Sequence, residues 1–120
     1  MLKALRRVVD DNKNTSICRN DLCEHFIQTS IEIENKLIAV LQRFPNETIS
    51  DADLDIIMSK TDKFLEEAEL RRRELKKSKL YKRFDERIIS LRQLAKKYPA
   101  MIKRHNAAVK NRQALKSRAV

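Results

Sequence analysis

Glycine is missing altogether from the 120 residues of this chain, and so is tryptophan. At ordinary usage a chain of this length would hold about eight glycines. Without them no Gly-rich loop can cradle a phosphate, which removes P-loop and dinucleotide-binding folds from consideration. Hairpin turns that need positive φ lose their usual residue, so an antiparallel sheet is disfavoured as well. Aromatics make up only 5% of the residues. A core with so few large side chains is thin, and a small domain built on it is marginally stable alone. Proline occurs twice, at Pro45 and Pro99, and cysteine twice, at Cys18 and Cys23. Residues five apart on a helix point in directions differing by roughly 140°, so the two thiols cannot bridge without unwinding it. The N-terminal stretch Met1–Arg7 mixes charge into its apolar residues, unlike a signal peptide. The expected setting is therefore intracellular and cytoplasmic, with the nucleus as the alternative. No run approaches the roughly 20 apolar residues of a membrane span.

What is present is helical periodicity. Leu2, Leu5, Val8 and Val9 predict a short helix over 2–9, followed by the polar breaker Asp10–Ser16. Leu22, Phe26, Ile33, Leu37, Val40 and Phe44, with Ser30 filling one gap, form a heptad-like seam over a helix at 17–44. Pro45 ends it, because the residue before proline avoids the α region. Ser50 is an N-cap with Asp53 three residues on, flanked by Ile49 and Leu54, so the next helix starts at Asp51. Leu54, Met58, Thr61, Leu65, Ala68, Arg72 and Leu75 keep one register; Leu80, Phe84, Ile88, Leu91, Ala95 and Tyr98 keep another. The slip between them falls within 71–79. A turn near Lys77–Ser78 would explain it, but with no Gly or Pro there the reading favours one continuous or kinked helix over 51–98. Residues 99–120 read as a basic, partly ordered helical tail. The expected fold is thus all-α: residues 1–98 as an elongated antiparallel helical hairpin in a coiled-coil-like bundle, then that tail.

Charge is divided unevenly. Residues 1–60 hold eight Lys and Arg against ten Asp and Glu, whereas residues 61–120 hold nineteen against seven. A one-signed field at one end bears on partners. Arg71, Arg72, Arg73, Lys76, Lys77, Lys103, Arg104, Lys110 and Arg112 are the candidate contacts for an acidic protein surface or for phosphate. Phe84 and Tyr98 fall in the core register, which leaves Tyr81 as the one outward ring of the basic stretch and argues against reading of single-stranded bases.

Catalytic and metal chemistry find little support. Cys18, Cys23 and His25 lack the tight paired spacing of structural zinc sites. A Cys–His nucleophile pair would have no oxyanion hole in a Gly-free helical chain. The reading is a protein that is not an enzyme and carries no cofactor. It predicts an interaction module, meaning an adaptor, chaperone or assembly subunit, that completes a helical bundle with a helical partner or with itself. A hairpin alone leaves Ile27, Ile31, Ile38, Ile88, Ile89 and Leu94 as an exposed apolar stripe, the expected binding face. The alternative is non-specific phosphate binding to nucleic acid through residues 71–118. A membrane surface is disfavoured, because the basic tail lacks Trp and Phe.

Overall fold

The computed structural model describes residues 15–119. The helix expected at 2–9 lies outside them. Three helices follow one another: α1 (Thr15–Arg43), α2 (Asp51–Leu75) and α3 (Tyr81–Ala119). They pack into a rod of 72 × 30 × 18 Å. The fold is all-α and elongated, and no strand occurs among the described residues.

α2 begins where the cap signal places it. Ser50 is extended (φ −70°, ψ 157°), and its hydroxyl accepts from the Asp53 N–H at 3.1 Å. Asp51 and Asp53 put negative charge at the positive end of the helix dipole.

The continuous helix over 51–98 is corrected to two helices joined by a turn. The turn forms without a left-handed residue at its entry: Lys76 stays right-handed (φ −57°, ψ −26°) and its N–H still reaches the Arg72 carbonyl. Ser78 then takes over the role that glycine or asparagine plays elsewhere. Its N–H donates to the Leu75 carbonyl at 2.9 Å, and its hydroxyl accepts the Leu80 N–H at 3.0 Å. The same hydroxyl donates to Asn20 Oδ1 on α1 at 2.5 Å, tying the turn to the start of the rod. The two apolar registers were out of phase because they belong to different helices.

Both registers face inward. On α3 the series Phe84, Ile88, Leu91, Ala95, Tyr98, Ile102 and Val109 is buried throughout. α2 contributes Thr61, Phe64, Leu65, Ala68 and Leu75; α1 contributes Cys23, Phe26, Ile27, Ser30 and Leu37. Phe26 is the hub, with ring centroids 5.7 Å from both Phe64 and Phe84, so one ring from each helix meets there. Ser30, the gap in the α1 seam, is satisfied by donating to the Ile27 carbonyl at 2.7 Å.

The tail expected over 99–120 is helical, and through Ala119 it continues α3 as its second half. Pro99 sits exposed inside the helix instead of marking its end. A mid-helix proline costs about 3 kcal/mol. Burial of Tyr98 and Ile102 on either side offsets that cost. The Tyr98 hydroxyl donates to the Leu37 carbonyl at 2.8 Å. Further along, Asn106 clasps the α1–α2 loop at both backbone groups of Ile49: Oδ1 accepts its N–H at 2.8 Å and Nδ2 donates to its carbonyl at 2.9 Å. His105 Nε2 donates to the Glu47 carbonyl at 2.8 Å, and Arg112 donates to that of Pro45.

Two measurements check this architecture. Asn106→Ala leaves the backbone of buried Ile49 without partners and should destabilise by about 1–3 kcal/mol in urea unfolding, whereas Asn111→Ala, at an exposed position of the same helix, should change little. Burial raises the Tyr98 phenol pKa above its ordinary value of 10.0. The stability of the neutral phenol is therefore fully present below that value and is lost as pH rises through the higher folded one. Melting temperature should fall as pH rises above about 10, and Tyr98→Phe should remove that component.

Candidate functional site

The expected apolar stripe does not survive as a surface. Ile27 and Ile88 are fully buried, because α3 folds back over α1 and consumes the edge that a two-helix hairpin would expose. Ile31 and Leu94 are half-buried against the same core. Only Ile38 (43% exposed) and Ile89 (46%) remain outside, one on α1 and one on α3.

The candidate basic contacts are divided as well. Arg72 belongs to an internal network: it pairs with Glu69 at 2.8 Å and Asp85 at 2.5 Å, donates to the Tyr81 hydroxyl at 2.8 Å, and lies 5.5 Å from the Phe84 ring centroid. Its bonds to Glu69, and then to Asp85 and Tyr81, hold the guanidinium even more firmly charged than usual. Tyr81 is therefore half-buried and engaged, correcting its reading as an outward ring. Arg71 pairs with Glu74, and Arg112 is spent on the Pro45 carbonyl. Arg73, Lys76, Lys77, Lys103, Arg104 and Lys110 are exposed and make no ion pair among the described residues.

What the structure brings together instead is a groove between the C-terminal half of α1 and the first half of α2. Ile33, Val40 and Phe44 form one wall and Ile57 the other. Beyond Phe44 it continues to Ile56 and the loop. The heptad-like seam places Ile33, Val40 and Phe44 inside, and Ile33, Val40 and Ile57 are half-buried against the core. Phe44 is in fact 37% exposed and Ile56 54% exposed. Asn106, His105 and Arg112 fasten the α1–α2 connection to α3, and the buried Ile49 closes the loop end of the groove. Charged residues along the main part of this groove are of one sign, Lys36, Arg43 and Lys60. Arg43 lies over the Phe44 ring at 5.6 Å. Toward the loop the sign reverses, with Glu47 and Asp53 on the rim.

Cys23 is buried in the core. Among the described residues no group of three His, Cys, Asp or Glu side chains is placed to hold a metal ion. No helix of those residues is long and apolar enough to cross a membrane. No family model, no curated protein and no solved structure matches the chain.

The ion-pair network generates a pH prediction. Glu69 accepts from Arg72 and from Arg92 at 2.6 Å, and these bonds, Arg72 first, lower its pKa from the ordinary value of 4.5. Its stabilisation is present above that value and is lost as pH falls through the lower folded one. The side chain is 41% exposed, so the effect is small, below about 1 kcal/mol. Glu69→Gln should flatten the dependence of the melting temperature on pH between 5 and 3 (about one unit around the carboxylate range), while Glu67→Gln, exposed and unpaired among the described residues, should not.

Proposed function

We propose that this protein is a non-enzymatic interaction module whose α1–α2 groove receives an amphipathic helix from another protein, completing a four-helix arrangement. The observation that carries the reading is the continuous apolar channel with Phe44 and Ile56 open to solvent. Single exposed apolar residues are ordinary on any surface; a lined channel between two helices is the shape that helix-in-groove recognition uses.

Charge selects the occupant. Lys36, Arg43 and Lys60 flank the apolar floor without a carboxylate in the main channel. A helix with an apolar face bordered by Asp and Glu meets complementary charge there, which favours both encounter and register. Two reactive side chains are otherwise occupied, which supports a non-catalytic role: Cys23 is enclosed in the core and His105 is engaged by the Glu47 carbonyl.

The test uses the full-length protein, labelled with ¹⁵N, and two designed amphipathic peptides with the same Leu face, one flanked by Glu and one by Lys. Chemical-shift changes confined to Ile33, Val40, Phe44, Ile56 and Ile57 with the Glu-flanked peptide are expected. Ile56→Asp, at a position 54% exposed and so tolerant of charge, should abolish them while melting remains near that of the parent. Reversing Lys36, Arg43 and Lys60 to Glu should transfer the preference to the Lys-flanked peptide. Equal response to both peptides, or indifference to Ile56→Asp, overturns the reading. A homodimer in light scattering that Ile56→Asp dissociates would replace the partner with a second copy.

A further inference from the structure

α3 carries an independent surface. From Arg87 to Ala119 it contains no Asp or Glu. Once Arg87 is paired with Glu34 and Arg92 with Glu69, Lys96, Lys97, Lys103, Arg104 and Lys110 stand without an ion pair among the described residues. Lys96, Lys103 and Lys110 recur at seven-residue spacing, and Lys97 and Arg104 repeat the interval one position on. All five are exposed. The inward register of Tyr98, Ile102 and Val109 sets them in two rows on the outer side of the helix. Between the rows run exposed Gln93, Ala100 and Ala107, which are small or uncharged. Lys96 to Lys110 spans about 21 Å at the rise of an α-helix.

We infer that this ridge binds the phosphodiester backbone of double-stranded nucleic acid without sequence preference. A duplex presents one negative charge per about 1.7 Å of axis, so cations spread over such a length meet phosphates at any register. The strip between the rows offers no aromatic ring on which unpaired bases could stack, which favours a duplex over a single strand. It offers no large apolar side chain, and the exposed Ile89 and Leu115 stand singly beyond its two ends, which disfavours insertion into a membrane surface. Ala and Gln bury too little area to anchor a protein partner, whose interfaces depend on large central side chains. Asp62 and Glu66 of α2 lie beside Lys96, and Asp51 beside Lys103 and Lys110. They moderate the field on the α2 side and leave the Lys97–Arg104 row outside their reach.

Fluorescence anisotropy with labelled mixed-sequence duplex DNA and duplex RNA tests this on the full-length protein across 50–200 mM salt, a range over which phosphate contacts weaken by orders of magnitude. Five neutralised phosphates predict a log K against log salt slope of about −4.5, and hence a loss of about 500-fold over that range. Lys96→Gln, Lys103→Gln and Lys110→Gln together should reduce the slope to about −1.8, equally for unrelated sequences. The corresponding Lys→Arg protein should bind like the parent, which separates charge from folding. Ile56→Asp, which disables the groove, should leave duplex binding unchanged. DNA alone, RNA alone or both as ligands are supporting results that identify the source of the phosphates. Absence of duplex binding at 50 mM salt, a condition under which such contacts are strong, overturns the inference. So does a slope unmoved by the Gln substitutions, or equal binding to phosphatidylserine vesicles or polyglutamate.

Discussion

The rod depends on a single change of direction between Leu75 and Tyr81, made without glycine. A chain lacking glycine has few ways to reverse a helix, because left-handed conformations strain any residue with a Cβ. Here Ser78 supplies hydrogen bonds in place of conformational freedom. One hydroxyl accepts the Leu80 N–H and donates to Asn20, while the Ser78 backbone closes onto Leu75 and Tyr81. Because the turn is fastened to α1, it sets both the direction and the rotation of α3. The meeting of Phe26, Phe64 and Phe84 follows from that placement.

Once α3 lies along the other two helices, its far half holds their loop. Asn106, His105 and Arg112 all engage backbone groups there, in the loop whose Glu47, Thr48 and Ile49 close one end of the groove. The same register that buries Ile102 and Val109 presents Lys103, Arg104 and Lys110 outward. A protein with so few aromatics makes three of its rings serve one small core. The remaining stabilisation comes from a long third helix that packs against both neighbours.

Much of this was legible in local pattern. The start of α2 followed from Ser50 and Asp53, because a cap is decided by residues within one turn. Both inward registers, at Leu65, Ala68 and Leu75 and at Phe84, Leu91 and Tyr98, followed from spacing alone. The slip at 71–79 was visible too, yet it was read as a kink, because the hydroxyl that forms the turn depends on Asn20 on another helix. The groove was illegible for a related reason. Ile33, Val40, Phe44 and Ile57 carry the same apolar signature as the core, and spacing cannot tell a seam that closes from one that stays open. Arg72 read as a free cation because its partners Asp85 and Tyr81 belong to the next helix.

By itself the sequence determined that this chain is helical, where its second helix begins, the inward registers at Leu65, Ala68 and Leu75 and at Phe84, Leu91 and Tyr98, and that its second half is cationic. These depend on interactions within a few residues, or on composition. Only the tertiary structure decided that the third helix is separate, that Ile27 and Ile88 are core, that Arg72 is spent internally, and that an apolar channel stays open beside Phe44. Those outcomes depend on what α3 covers, and a side chain's exposure is a property of its neighbours in space.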